Sequence, residues 1–264
     1  MRIALHPTGE AGRRAGRILL AEAGLEALGI YGSRASGIEG RRAMAVTSPA
    51  GFTVLASDDA TAPLDIAGIA VEDGLSCVLG ADVEPGPQLV ARAHARGVTL
   101  LVGASLVGLA EAMAHRCAAG LPASVAGLPA SVSLLLAWTP EGKPPRRGMA
   151  VPFPAPLGAR WGTPLPSRPD DPPTTARVVA PVTGPWAGAL ARATIGKGRR
   201  REERLVAVAD DRRHLEGITL AAGALALAAR DLPPGLIRPG QIGDAYLAAC
   251  LRVGLEVAGL GFRS

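Results

Sequence analysis

Hydrophobic and polar positions in the first half of the chain alternate between short apolar runs and longer segments of helical periodicity. RIAL is a short apolar run, and the EAGRRAGRILLAEAGL segment after it places its apolar side chains at helical spacing. Further strands are predicted at 26–32, 52–57, 75–81 and 98–103, and helices follow the last two as QLVARAHARG and LVGLAEAMAHRCAAG. This alternation predicts an α/β fold: a parallel, doubly wound sheet with helices on both faces, binding ligands beyond the carboxyl ends of its strands.

After Gly120 the pattern changes to β-rich segments separated by proline. ASVSLLLAWT, GMAVPF, TARVVAPV, WAGALARATIG and ERLVAVAD predict a mostly antiparallel sheet. Helices are predicted again at 213–231 and in the terminal DAYLAACLRVGLEVAG, whereas the proline-rich 156–175 is expected to lack regular structure. We therefore predict a nucleotide-binding domain over 1–120 and an α+β substrate or dimerisation domain over 121–264, with a homodimer as the expected assembly.

The turn after the first strand, HPTGEAGRRAG, carries the first specific chemistry. Gly9 and Gly12 are spaced so that the backbone can pass close to a diphosphate, and the amides that open the next helix at Glu10 and Ala11 point at its charge. Thr8 offers a hydroxyl donor. The ends of the fourth and fifth strands are expected beside the same ligand at Gly80, Ala81 and Gly103. An ordinary tight turn is the alternative interpretation.

The end of the second strand indicates which dinucleotide binds. An NAD site usually has an acidic residue there to accept hydrogen bonds from the ribose hydroxyls, but this chain reads YGSRAS. Ser33 and the planar guanidinium of Arg34 suit the oxygens of a 2′-phosphate, with Arg41 and Arg42 adding long-range attraction. The pattern predicts NADP(H) as cofactor, unless Arg34 is one more surface arginine of an arginine-rich chain.

Composition excludes several other classes of function. The formal net charge of the 264 residues is +5, but only 3% of the residues are aromatic, which is unlike a nucleic-acid binder. The longest apolar stretch, within 217–229, is shorter than the roughly 20 residues that cross a bilayer, and no signal-peptide pattern is present. We expect a cytoplasmic protein without membrane contact. The three cysteines have no CxxC pair, so buried thiols are expected rather than a metal site.

Three segments resemble the saccharopine dehydrogenase-like and dihydrodipicolinate reductase-like NAD(P)-binding oxidoreductases. TGEAGRRAGRIL resembles their GATGxxGR turn, although His6 takes the place of the first glycine and Pro7 follows it. VGASLVGLAEAMA is similar to the stretch after the fifth strand of saccharopine dehydrogenase-like proteins, and LPPGLIRPGQIGDAYLAACL to their C-terminal end. The resemblance implies a Rossmann domain, an NAD(P) cofactor that His6 would contact, and substrate bound between two domains.

Motifs for proton transfer are the weakest part of the sequence evidence. Tyr31 and Tyr246 lack the lysine four residues on that short-chain dehydrogenases need, and the four histidines are scattered. Candidate catalytic residues are Lys143, Asp211 and His214, and Arg146 and Arg147 are candidates for binding an acidic substrate. A solvated turn is the alternative explanation, and the favoured one, for Lys143 and the two arginines, as is helix capping for Asp211.

Two hypotheses of function follow. The first is an NADP-dependent dehydrogenase or reductase that acts on a small carbonyl, imine or amino-acid-like substrate. The second is a non-catalytic dinucleotide-binding sensor or assembly protein, which the missing proton relay favours. A further alternative is that His6 and Pro7 close the turn and no dinucleotide binds.

Overall fold

The computed structural model describes residues 1–32, 37–119, 131–138, 149–165, 175–181, 184–195 and 202–263. The chain forms two compact units, the first from Met1–Gly108 with Arg213–Leu255, and the second from Leu109–Arg212 with Glu256–Ser264. The expected division of the chain into domains 1–120 and 121–264 stays a prediction. Five predicted site residues lie outside the described ranges: Ser33, Arg34, Lys143, Arg146 and Arg147.

A seven-stranded parallel sheet is the centre of the first unit. Its strands are β1 (Arg2–His6), β2 (Ala27–Tyr31), β3 (Ala43–Val46), β4 (Val54–Ser57), β5 (Ser76–Leu79), β6 (Thr99–Val102) and β13 (Gly235–Ile237). Their order is β13-β6-β5-β4-β1-β2-β3, and every neighbouring pair is parallel. From β1 the chain adds β2 and β3 on one side and then crosses to β4 on the other, which is the strand order of a Rossmann sheet with β13 added.

Apolar runs form these strands because both faces of the sheet are covered. Ile3, Ala4 and Leu5 of β1 are completely buried, as are Leu55 and Ala56 of β4. The sequence pattern did not predict β3 and β13. β3 (AMAV) is a four-residue edge strand whose Met44 is 45% exposed, and β13 (GLI) has only three residues, so each apolar run is too short to indicate a strand.

The helices in the described residues are α1 (Glu10–Ala21), α2 (Pro63–Glu72), α3 (Pro87–Ala95), α4 (Leu106–Ala119), α5 (Arg212–Ala229), α6 (Pro239–Ile242) and α7 (Asp244–Arg252). Helix α4 lies mostly in the second unit, from Leu109 onward, and the other helices belong to the first, apart from Arg212. Helix α2 was not predicted from the sequence, although Pro63 suits a first helical turn and buried residues recur along it at helical spacing. In the described part of the chain, no helix has the length and apolar character to cross a lipid bilayer.

Helix α5 is buried over most of its length because small residues let it approach its neighbours closely. A Cβ on Gly217 would lie 2.8 Å from the Cβ of Arg14 on α1, and one on Gly223 would lie 2.8 Å from Cγ1 of Val78 on β5. The Tyr246 hydroxyl of α7 donates to the Thr219 carbonyl of α5 at 2.9 Å. The small residues of α5 therefore permit the close packing of this helix.

The second unit contains another seven-stranded sheet, with the order β14-β12-β11-β7-β10-β9-β8. Its strands are β7 (Ser131–Trp138), β8 (Met149–Pro152), β9 (Ala159–Leu165), β10 (Thr175–Pro181), β11 (Trp186–Ile195), β12 (Glu202–Asp211) and β14 (Ala258–Arg263). All neighbouring strands are antiparallel except β7 and β10. The predicted fold class, a parallel α/β sheet followed by a mostly antiparallel one, is confirmed.

Two expectations for this part of the chain are wrong. The proline-rich segment 156–175 was expected to be irregular, yet its residues 159–165 form β9, which pairs with both β8 and β10. The terminal helix ends at Arg252 rather than continuing, because Gly254 adopts a φ of +106° and the chain then extends into β14 beside β12.

Candidate functional site

Strands β1 and β4 are neighbours at the point where the strand order reverses. Their register pairs His6 with Ser57 at the carboxyl ends of the two strands. Ligands of open α/β sheets bind in the crevice at this position, because the connections from the two strands leave in opposite directions. The residues just after β1 and β4 therefore lie at the edge where such a sheet binds its ligand.

The turn after β1 binds a carboxylate group of the protein itself, that of Asp58. The Asp58 carboxylate, directly after β4, accepts hydrogen bonds at Oδ1 from the Thr8 amide at 2.6 Å and the Thr8 hydroxyl at 3.1 Å. At Oδ2 it accepts from the amides of Gly9 at 3.0 Å and Gly12 at 2.7 Å. We call the four donors on Thr8, Gly9 and Gly12 the anion cradle. Their convergence on one charge is the arrangement by which a helix N-terminus binds an anion.

Glycine at positions 9 and 12 leaves room for this carboxylate. A Cβ on Gly12 would lie 2.7 Å from Asp58 Oδ1, and a Cβ on Gly9 would lie 3.2 Å from Oδ2. The first distance is below any real Cβ contact, so a side chain at position 12 would displace the anion. The two glycines thus leave the space that one carboxylate occupies, and their assignment to a diphosphate stays a prediction.

His6 lies at the same carboxyl edge of the sheet. In the sequence it takes the place of the first glycine of the resembled motif. Its Nδ1 is 3.2 Å from Ser57 Oγ, and its ring centroid is 5.6 Å from that of Tyr31 at the end of β2. Gly32 follows with a φ of +93°, and a Cβ there would approach His6 Cδ2 to 2.9 Å. The His6 ring therefore extends across the ends of β1, β2 and β4 beside the anion cradle, and it does not occupy the cradle itself.

Glu10, the first residue of α1, is surrounded by arginine. Arg13 Nε donates to Glu10 Oε2 at 2.9 Å, and Arg14 and Arg17 lie within 3.7 Å of its other oxygen. The hydrogen bond from Arg13 lowers the pKa of Glu10 below its ordinary value. Three guanidinium groups against one carboxylate leave this first part of α1 positively charged.

Ala11, the next predicted cofactor residue, packs against helix α5. Its carbonyl oxygen lies 3.2 Å from the position that a Cβ on Gly217 would take.

The other predicted cofactor residues lie on the opposite side of β4. Gly80 donates its amide to the Ser57 carbonyl at 2.9 Å, and Gly103 donates to the carbonyl of Ala81 at 3.1 Å. Gly103 adopts a φ of +78°, which favours glycine. These backbone contacts bring Gly80, Ala81 and Gly103 to the carboxyl edge of the sheet next to Asp58.

An ion pair also lies at this edge. Arg238, just after β13, donates from Nη1 to Asp82 Oδ1 at 3.0 Å and from Nη2 to Glu84 Oε2 at 2.5 Å. Its side chain is only 13% exposed. These contacts join the segment after β13 to the loop after β5, at the same carboxyl edge of the sheet as the candidate site.

Arg42 does not lie near this edge. Its guanidinium donates to the carbonyls of Glu22 at 2.7 Å and Leu25 at 2.8 Å and to that of Leu20. These hydrogen bonds provide donors for carbonyl groups at the C-terminal end of α1 and in the turn after it. Arg41 and Arg42 precede β3, so both stand at the amino ends of the parallel strands. The suggestion that they assist the binding of a 2′-phosphate has no support in this placement.

The two candidate catalytic residues that the structure describes fall in different compact units. Asp211 ends β12 in register with Trp186 and belongs to the second unit, whereas half-buried His214 is in the first turn of α5 and belongs to the first. Their roles stay predictions. Trp161 and Trp186 are 66% and 39% exposed, so neither of these tryptophans is a core residue.

Three charged residues of the site were missed by the sequence analysis: Asp58, Asp82 and Arg238. One signal for Asp58 was available, because an acidic residue directly after a buried strand of a doubly wound sheet lies at the ligand-binding edge. Nothing comparable marked Arg238, because its partner is 156 residues away in the chain and β13 was not predicted.

Comparison with known proteins supports the fold. No protein-family model matches the sequence, and no curated protein matches it significantly. The structure is similar to an engineered D-amino acid dehydrogenase bound to NADP+, with a TM-score of 0.57, 13% identity and coverage of 94% of this chain and 95% of the other. It is also similar to the DAP dehydrogenase of C. glutamicum in complex with DAP, with a TM-score of 0.55, 14% identity and coverage of 94% of this chain and 95% of the other.

GenD2 from gentamicin A biosynthesis, solved in complex with NAD, is similar at a TM-score of 0.54 and 14% identity, over 98% of this chain and 96% of its own. These likenesses cover both units of the chain. They confirm the expected Rossmann fold, and at such low identity they show the fold alone.

Proposed function

We propose that this chain is an NADP(H)-dependent oxidoreductase that binds the cofactor diphosphate in the anion cradle after β1. The observation that carries the proposal is the convergence of three backbone amides and the Thr8 hydroxyl on a single anion position at the switch point of the sheet. A diphosphate needs several donors on one side and no side chain in its path. Thr8, Gly9 and Gly12 supply both, once Asp58 has moved.

The carboxyl edge of the sheet on both sides of the anion cradle suits the other parts of a dinucleotide. Tyr31 and His6 lie toward β2, where the adenosine half of a dinucleotide is held in a sheet of this order. Gly80, Ala81 and Gly103 lie toward β5 and β6, where two glycines without side chains leave room for the nicotinamide half. When bound, the cofactor supplies the hydride chemistry. The residues of this chain need to bind it, orient the substrate and deliver a proton.

Preference for NADP(H) over NAD(H) is the part of the proposal that rests on charge. β2 ends at Tyr31 and is followed by glycine, serine and arginine, so the expected acidic ribose ligand of an NAD site is missing from 31–34. Arg17 Nε donates to the Gly37 carbonyl at 3.2 Å, which brings positive charge from α1 to the segment that follows residues 33–36. Ser33 and Arg34 are the proposed ligands of the 2′-phosphate.

The proposed substrate is a small carbonyl, imine or amino-acid-like compound. Two structural neighbours support this class, because one is a D-amino acid dehydrogenase and another was solved with the amino acid DAP. Lys143, Asp211 and His214 are the proposed proton donors or acceptors, and Arg146 and Arg147 the proposed ligands of an acidic group. The proposed assembly is a homodimer, and light scattering that reports a monomer would contradict it.

A non-catalytic dinucleotide sensor is the second candidate function. The observation that favours it is Asp58, because a cradle that accepts either a protein carboxylate or a ligand has the two exclusive states that a ligand-dependent switch requires. Cofactor turnover separates the two candidates, since a sensor binds NADPH but does not oxidise it with any substrate.

The test is a fluorescence titration of purified protein with NADPH and NADH at physiological salt, after any co-purified nucleotide has been removed. Tighter binding of NADPH supports the proposal, and NADPH oxidation with a panel of keto acids, imines and aldehydes then identifies the substrate class. If neither nucleotide binds, the oxidoreductase proposal is rejected. If both bind equally, only the preference for NADP(H) is rejected.

A further inference from the structure

We propose that Asp58 is an internal competitor for the cofactor, so that its carboxylate must leave the anion cradle before a dinucleotide can bind. The inference rests on the proposed function for the identity of the incoming ligand. It concerns the regulation of that site, because the fraction of molecules with Asp58 displaced sets the apparent affinity for the cofactor.

Carboxylate and diphosphate would use the same donors. Both oxygens of Asp58 are engaged, Oδ1 by Thr8 and Oδ2 by Gly9 and Gly12, at donor distances between 2.6 and 3.1 Å. An N–H group already donating at such a distance has no second bond to give a phosphate oxygen. Two anions at one helix N-terminus also repel each other. Occupation of the cradle is therefore exclusive.

The two anions would also use the same space. Asp58 lies within 2.7 to 3.2 Å of where side chains on Gly9 and Gly12 would begin, which is the space that these glycines leave for a close-lying ligand. A diphosphate cannot approach the Gly12 amide while the carboxylate is there. Exclusion is thus steric as well as electrostatic.

The surroundings of Asp58 allow its side chain to move without unfolding the site. The preceding residue is fixed in β4 by its pairing with β1 and β5 and by the hydrogen bond from the Gly80 amide to the Ser57 carbonyl. The following Asp59 forms its own turn, accepting from the amides of Thr61 at 2.7 Å and Ala62 at 3.1 Å. Within the described residues, release of the Asp58 side chain breaks only its bonds to the cradle.

Without nucleotide, Asp58 also has a structural role. The first amides of an α-helix have no partner within the helix, and the carboxylate satisfies that of Gly12 while neutralising the positive end of α1. The ligand-free protein therefore stays ordered at this edge. Cofactor binding exchanges one anion for another instead of filling an open cradle.

The test compares Asp58→Ala, Asp58→Asn and wild-type protein, each titrated with NADPH and separately with inorganic pyrophosphate. Asp65→Ala is the matched control, because it removes the same charge from an exposed position on α2, outside the cradle. We expect D58A to bind both ligands about tenfold or more tightly than wild type, with D58N between them and D65A unchanged. Without ligand, D58A should melt at a lower temperature than wild type, and pyrophosphate should restore it. D58N keeps the side-chain volume and replaces D58A if that variant does not fold.

The outcomes separate this inference from the proposed function. Equal or weaker binding of NADPH by D58A than by wild type overturns the competitor and leaves the dinucleotide site intact. If no variant binds NADPH or NADH but D58A binds pyrophosphate and wild type does not, the competitor stands and the oxidoreductase proposal fails. If no variant binds either ligand, both are rejected.

Discussion

Arg238 Nη1 lies 3.0 Å from Asp82 Oδ1, and this contact connects residues that are 156 positions apart in the chain. Both side chains are largely buried, at 13% and 26% exposure, whereas the second partner of Arg238, Glu84, is 74% exposed. Solvent screening is weak for the first pair and strong for the second. The Asp82 contact is therefore the part of the cluster that stabilises the fold.

Replacing Arg238 by alanine should lower the free energy of unfolding by about 1–3 kcal/mol, because the largely buried Asp82 carboxylate loses this donor. Denaturant unfolding measures the change. The control is Arg92→Ala, whose 3.6 Å contact to Glu72 lies between two exposed side chains and should contribute less than about 0.5 kcal/mol. A double-mutant cycle of R238A and D82A that gives no coupling energy would contradict this assignment.

Gly12→Ala should both destabilise the protein and abolish nucleotide binding. The new methyl group would lie 2.7 Å from the Asp58 carboxylate, so the cradle loses its anion and cannot accept another. We expect a loss of about 1–3 kcal/mol in the free energy of unfolding. Thermal or denaturant unfolding and NADPH titration measure the two effects.

Gly68→Ala is the matched control for this substitution. Gly68 lies within α2, and a Cβ there would have no atom within 4 Å. Alanine at this position should stabilise the protein by about 0.5–1 kcal/mol, because it removes backbone freedom from the unfolded chain, and it should leave nucleotide affinity unchanged. If G12A and G68A behaved alike, the close approach at Gly12 would have no functional role.

The sequence predicted the order β1, α1, β2, β4, β5, β6 because each of these elements has a local apolar period. It also predicted the anion-binding turn, whose glycines and threonine are adjacent in the chain. The partner of that turn was not predicted. Asp58 is about 50 residues away, and only the placement of β4 beside β1 brings it there. The Arg238 to Asp82 contact likewise depends on the pairing of β13 with β6, which no local pattern encodes.

All three cysteine thiols should be unreactive in the native protein. Cys77, Cys117 and Cys250 are buried, and burial raises the pKa of Cys77 to about 12 and that of Cys117 to about 11, with that of Cys250 raised as well. The thiolate is the reactive form, so an aromatic disulfide reagent at pH 8 should titrate no thiol before unfolding and three in guanidinium chloride. A thiol that reacts rapidly in native protein would show that its segment opens.

The same shifts predict a dependence of stability on pH. A thiol whose pKa is raised in the folded state stabilises the protein fully below its ordinary pKa of 9.0, and this contribution is lost as pH rises through the folded value. For Cys117 the loss falls between about pH 9 and 11. Cys117→Ser should reduce this slope in urea unfolding between those pH values, and an unchanged slope would contradict the assignment.

Arg34→Ala should weaken the binding of NADPH by about tenfold or more and leave that of NADH almost unchanged, because only NADPH carries the 2′-phosphate that a guanidinium binds with two hydrogen bonds. The matched control is Arg41→Ala. It removes the same charge, but Arg41 stands at the amino end of β3, on the opposite edge of the sheet from the cradle. Titration of each variant with both nucleotides separates a specific contact from the general attraction of an arginine-rich surface. Equal losses for NADPH and NADH in R34A, or equal losses of NADPH affinity in R34A and R41A, would remove the case for selectivity at the end of β2.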